Sequence, residues 1–159
     1  MVRLKHMYRH FFIVYKKKEI IFSLIFALIL SLPLNIGNTE FLKNITDFFQ
    51  GILVIEIAYI AIFYSGTSGT EKAKKLIINS SRGFNYYHYL LIKNYFSILI
   101  KFFVLLLIYT VSVYNITDFG FSFWILNIKF YNLIQTLSIC AILTTVDLIL
   151  SMYFFLWGN

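Results

Sequence analysis

The sequence predicts an all-α, polytopic integral membrane protein with about four transmembrane helices and a cytoplasmic amphipathic helix between the second and third. Three observations carry that expectation. The 159 residues are 60% hydrophobic and 20% aromatic but only 13% charged, whereas a soluble domain is nearer half apolar and a quarter charged. The excess has no core to fill, so lipid is the natural solvent. The apolar residues form nearly continuous runs on both sides of one basic stretch, residues 70–94. Finally, the basic residues gather in two segments that flank those runs, at the N-terminus and in that stretch. The whole chain, 1–159, reads as a single transmembrane domain.

Residues 1–19 hold Arg3, Lys5, Arg9, Lys16, Lys17 and Lys18 against Glu19 alone. A secretory signal also opens basic and turns apolar, but no small-x-small cleavage site follows the apolar run here, so an uncleaved first span is expected. The apolar patch Phe11 to Tyr15 inside this basic region suits a short helix lying among lipid headgroups. The first span is placed at 20–36, with Pro33 near its outer end, and the second at 48–64, interrupted only by Gln50, Gly51 and Glu56. Small and glycine residues at 65–69 then break the helix and lead into an amphipathic helix at about 70–88, with Gly83 expected to kink it. The third span is placed at 90–113. The last apolar region is longer than one span needs; it divides into an outer-interface segment, 119–131, and a fourth span, 133–157, with Trp124 and Trp157 at opposite interfaces.

Topology follows from charge. The N-terminus and the 67–93 loop carry 11 of the 14 lysines and arginines, and the two remaining loops one each, Lys43 and Lys129. By the positive-inside rule the N-terminus and the central loop are cytoplasmic, and four spans return the C-terminus to the same side. The net charge of +7 is thereby explained without nucleic acid. The dominance of Asn, Ile, Lys, Phe and Tyr, residues with AT-rich codons, points to a low-GC bacterial genome and hence to a cell membrane, with the sequons at Asn44, Asn79 and Asn115 arising by chance.

Little chemistry is legible. No phosphate-binding glycine loop, HExxH, GxSxG or CxxC pattern occurs. A lone Cys140 in an apolar run offers no disulfide or metal cluster, and His6, His10 and His88 are scattered. No catalytic, cofactor-binding or metal-binding residue is expected, and the chain is not expected to be an enzyme. The ionisable residues inside the predicted spans are Glu56, Lys101 and Asp147. Each is costly in hydrocarbon and so marks a position with a role. Lys101 is expected to snorkel to the near interface. Glu56 and Asp147 are open to several readings: a carboxylate pair, hydrogen bonding between helices, contact with a partner subunit, or for Glu56 an ion pair with Lys101.

In the central stretch Glu71, Lys72, Lys74, Lys75 and Arg82 alternate with Leu76, Ile77, Ile78, Phe84, Tyr87 and Leu91, and Ala73, Ile77, Phe84 and Leu91 fall near one helical stripe. Read by itself, this is a membrane-surface helix for anionic lipid. The order of residues also resembles the membrane subunits of type-2 ABC exporters, closest to small bacterial permeases of peptide export or immunity. The resemblance rests on Glu71 and Lys72, then Lys74-Lys75, the apolar Leu76-Ile77-Ile78, the step Ser80-Ser81-Arg82, and Lys93 entering the third span. It covers the first four of the family's six usual spans, and Ala73-Lys74-Lys75 stands where the family usually has Gly-Thr. The resemblance implies a permease-like subunit without chemistry of its own. It would work with a separate cytoplasmic ATPase bound at Glu71, Lys72, Lys74, Lys75 and Arg82, and with a second permease subunit in the same bilayer. The alternatives are a stand-alone small membrane protein of immunity or toxin type, whose basic segment binds lipid, and an intramembrane enzyme using Glu56 and Asp147.

Overall fold

The computed structural model describes residues 11–31, 39–65, 68–79, 83–114, 120–123 and 126–157. A helical turn at 11–14 leads into α1 (Lys17–Ser31), α2 (Thr39–Tyr64), the short α3 (Ser68–Lys75), a hairpin of β1 (Ile77–Asn79) and β2 (Phe84–Asn85), α4 (Tyr86–Tyr114), a second hairpin of β3 (Gly120–Phe123) and β4 (Leu126–Lys129), and α5 (Phe130–Trp157). The all-α expectation holds, with the two small hairpins as additions.

Among the described residues three helices are long and apolar enough to cross a bilayer, over Glu40–Phe63, Tyr86–Tyr114 and Tyr131–Phe155. At about 1.5 Å per residue, helices of 26, 29 and 28 residues exceed a hydrocarbon core of roughly 30 Å. The 15-residue α1 reaches only about 22 Å. The predicted 20–36 span is therefore helical from Lys17 to Ser31, while Pro33 lies outside the described residues. So do Arg3, Lys5, His6, Arg9, His10, Ser80, Ser81, Arg82, Asn115 and Trp124.

The surface and the interior are inverted relative to a soluble protein. Phe22, Val54, Ile55, Leu99, Phe102, Tyr109 and Phe154 stand exposed, while Ser31, Glu56, Lys93, Asn94, Ser97, Lys101, Thr136, Ser138 and Ser151 are buried. In water this would leave a large apolar area wet. In lipid it is the expected arrangement, because polar groups must find partners between helices. The molecule has the build of a multi-pass membrane protein.

The helices lie in the order α1, α5, α4, α2, each packed on the next. Along α4 the buried residues Leu90, Asn94, Ser97, Lys101, Val104, Ile108 and Val111 recur at alternating spacings of four and three, the period of a coiled-coil seam. On α2 the buried Phe49, Glu56 and Phe63 recur every seven residues and meet that seam. α1 joins by small residues: Ala27 and Ser31 are its buried positions, Ser31 and Thr136 share a hydroxyl hydrogen bond of 2.8 Å, and the Cys140 thiol lies 3.9 Å from the Ser23 carbonyl. Small side chains at every fourth residue let two backbones approach closely. Cys140 is thus buried filler in a helix contact.

Two expectations need correction. The helix foreseen at 70–88 is broken: α3 stops at Lys75, and the chain turns through the β1–β2 hairpin before α4 begins at Tyr86. The β-branched Ile77-Ile78 favours strand, and Gly83 does not kink a helix but sits in the hairpin turn at φ +59°, a conformation that glycine adopts without penalty. Ala73, Ile77, Phe84 and Leu91 therefore do not share one helical stripe. In the same way the outer segment at 119–131 is largely the β3–β4 hairpin, paired from Gly120↔Lys129 to Phe123↔Leu126.

Candidate functional site

α3 is fastened to the spans on either side of it by side-chain to backbone bonds. The Thr70 hydroxyl donates to the Phe63 carbonyl at the end of α2, at 2.8 Å. Asn85 works in two directions: its Nδ2 donates to the Lys74 carbonyl at 3.2 Å, and its Oδ1 accepts the His88 amide at 3.1 Å. It therefore serves the end of α3 and caps the start of α4 at once, which is what an Asn at a helix N-cap does for otherwise orphan amides. Beneath the helix, Ala73 is fully buried in a cluster with Phe63, Leu90 and Phe155, and the Phe63 and Tyr87 rings stack at 5.4 Å.

The charges foreseen as partner contacts lie on the outer side of this platform. Glu71, Lys72, Lys74 and Lys75 are exposed, while Arg82 lies outside the described residues. Glu71 and Lys74 pair at 3.2 Å. Lys74 also lies over the Tyr87 ring at 5.6 Å, and Lys72 over Phe155 of α5 at 5.8 Å, within cation–π range. Beside them Leu76, Ile77 and Ile78 are exposed on the hairpin.

Inside the bundle the three ionisable residues separate into two sites. Glu56 Oε1 accepts Lys101 Nζ at 2.7 Å and the Ser97 hydroxyl at 2.7 Å. Lys101 also donates to Ser97, and Asn94 Nδ2 donates to the Glu56 carbonyl at 3.2 Å. Lys101 is fully buried and does not snorkel: a carboxylate on the neighbouring helix satisfies it at its own depth, and the extra hydrogen bonds offset desolvation. Asp147 is elsewhere. Its Oδ2 pairs with Lys93 Nζ at 2.7 Å, and Lys93 also donates to the Ser151 hydroxyl at 2.8 Å and lies 4.8 Å over the Tyr89 ring. Glu56 and Asp147 each hold a lysine, so no carboxylate dyad forms between them.

Lys93, Asn94, Ser97 and Ser151 were not singled out as members of these sites from sequence. The signal for the first site was available: Asn94, Ser97 and Lys101 fall on one face of a helix at spacings of three and four. Lys93 and Asp147, by contrast, lie 54 positions apart, and only helix packing brings them together. Among the described residues no group of three or more His, Cys, Asp or Glu could hold a metal. No protein-family model, curated protein or solved structure matches this chain.

Proposed function

We propose that this chain is the permease-like membrane subunit of an ATP-driven exporter in the cell membrane. A separate cytoplasmic ATPase docks on the Glu71, Lys72, Lys74 and Lys75 face, a second permease subunit completes the assembly, and α1 serves as a short fourth span with both termini cytoplasmic. The chain performs no catalysis. One observation carries this reading. The charged helix α3 is exposed on its outer side yet bound to the ends of α2 and α4 through Thr70 and Asn85, and touches α5 through Lys72. A push on such a platform reaches three long helices at once, which a helix on a flexible tether would not transmit.

A second reading has its own observation in its favour. The exposed Leu76, Ile77 and Ile78 beside several lysines have the composition of a loop that sits in anionic headgroups, as a stand-alone immunity or toxin-like membrane protein would use. The two readings differ in what they demand of sequence. Lipid attraction follows total charge, about 1 kcal/mol per basic residue, whereas protein docking depends on which side chain points where, and one position turns a helix face by about 100°. Exchanging Glu71 and Lys72 with each other preserves net charge. It is expected to abolish co-purification with a cognate ATPase while leaving membrane insertion intact. Retention of the ATPase by the exchanged protein, or its failure to co-purify with the wild type, would hand the segment to lipid.

A further inference from the structure

We infer that the cavity enclosed by the segment before α1 together with α1, α4 and α5 is a binding site for a single-chain amphiphile whose head group is a primary ammonium. The inference needs the membrane helices but no cytoplasmic partner, so it stands apart from ATPase docking. The cavity measures about 590 Å³, within the roughly 300–1,000 Å³ of small-molecule sites.

Its wall changes character along the bundle in the same direction on every helix. At one end stand Glu19 in the first turn of α1, Tyr89 and Lys93 near the start of α4, and Asp147 towards the end of α5. Further along the same helices the lining becomes mainly apolar, with Leu24 on α1, Phe96 and Ile100 on α4, and Leu143 on α5, beside the Ser23 and Thr144 hydroxyls and the Cys140 thiol. Polar groups at one end and an apolar tube at the other match a ligand with a head and one aliphatic chain.

The hydrogen-bonding balance chooses the head. Lys93 is the one cation among the described lining residues, and it is already engaged by Asp147, Ser151 and the Tyr89 face. An anionic head would stand beside the Glu19 and Asp147 carboxylates, with neutral donors such as the Tyr15 O–H but no unpaired cation among the described lining residues. Acceptors remain: Asp147 uses Oδ2 on Lys93 and its side chain is 47% exposed, and no other described group bonds Oδ1. The Ser23 and Thr144 hydroxyls donate to backbone carbonyls, so what they present outward is lone pairs.

Tyr15 supplies the independent sign of an absent partner. It is nine-tenths buried, it lines the cavity, and its hydroxyl has no hydrogen-bond partner among the described residues. Its ring is held in place by Phe11 at 5.3 Å and Phe96 at 4.9 Å. Burial first, then the charges of Asp147 and Tyr89, push the phenol pKa up, so Tyr15 stays neutral and keeps a lone pair for an incoming N–H. A buried polar group without a partner is costly, and an ammonium between Tyr15 and Asp147 would remove that cost. Bilayer phosphatidylethanolamine also carries a primary ammonium, but its phosphate would meet no unpaired cation among the described lining residues, which favours a free single-chain amine.

Native mass spectrometry of the full chain in detergent, titrated with dodecylamine, tests this. The expected result is one saturable adduct, weakened about tenfold by Asp147→Asn and several-fold by Tyr15→Phe, the scale of losing one charge-assisted or one ordinary hydrogen bond. Leu143→Trp should block the apolar end, and Asp47→Asn, in a separate cavity between α2 and α4, should bind like the wild type. Dodecanoate and phosphatidylethanolamine should each bind at least about tenfold more weakly than dodecylamine. Should Leu143→Trp fail to fold, Asp147→Asn and Tyr15→Phe, which remove one charge and one oxygen, together still decide the matter. Dodecanoate binding as tightly as dodecylamine, or an affinity unchanged in both Asp147→Asn and Tyr15→Phe, would overturn the site. Phosphatidylethanolamine binding as tightly would overturn the single-chain assignment.

Discussion

The two intramembrane ion pairs use the same chemistry in opposite surroundings. Glu56–Lys101 lies in the α2–α4 seam with both side chains almost wholly buried, at 6% and 0% exposure, with Ser97 bonded to both and Asn94 bonded to the Glu56 carbonyl. Lys93–Asp147 joins α4 to α5 with a buried lysine, but its carboxylate is half-exposed to a cavity. The difference separates a fastening from a binding wall. A pair sealed between two helices holds them in register, even though Glu56 Oε2 and Asn94 Oδ1 stay buried there without a hydrogen-bond partner among the described residues. A pair with one open partner keeps a charged group in place while an oxygen remains available.

The largest expected effect breaks the first pair. Lys101→Met leaves Glu56 buried without its counter-charge, and losing one member of a buried pair costs about 3–5 kcal/mol. Thermal unfolding of the purified protein in detergent should show a large loss of stability. The double variant Glu56→Gln/Lys101→Met should recover most of it, because no uncompensated charge remains. A single variant as stable as the wild type would mean that the seam does not depend on the pair.

The same measurement on the second pair should give much less. Asp147→Asn removes a carboxylate that already faces the cavity, where water can take its place, and Lys93 keeps Ser151 and the Tyr89 ring. The expected loss is about 1–2 kcal/mol, because Lys93 stays buried but keeps a hydrogen bond and can be reached by water from the cavity. A loss as large as that of Lys101→Met would make the two sites equivalent and erase the contrast.

The smallest difference sharpens the contrast at the level of single hydroxyls. Ser97→Ala removes a donor from a fully enclosed Glu56, whereas Ser151→Ala removes an acceptor from a lysine next to the cavity. Unfolding in detergent should show about 1 kcal/mol for the first and clearly less for the second. Equal losses would indicate that the cavity end of the bundle is as closed as the seam.

The behaviour of the central segment shows where sequence reasoning stops. The break after residue 64 and the charged face of α3 were legible, because charge and small residues exclude a span locally. The turn after Lys75 was not. Leu76, Ile77 and Ile78 fit a helical stripe as well as a strand, and the choice depends on Asn85 reaching back to the Lys74 carbonyl and on Gly83 adopting a positive φ. Those are events between residues eight to eleven positions apart, beyond the reach of periodicity.

By itself the sequence determined the solvent and the helices. Apolar runs of span length need lipid around them and satisfy their own backbone within each helix, so their existence follows from local composition. Which polar side chains meet was decided only by tertiary structure. Glu56 could have faced Asp147, lipid or Lys101 with the same composition. The choice came from the spacing of four and three that turns Asn94, Ser97 and Lys101 of α4 towards α2, while α5 packs on α4's neighbouring face and brings Asp147 to Lys93. Burial in a medium without water then makes each pairing stable, since a polar group there has no partner except the one that packing supplies.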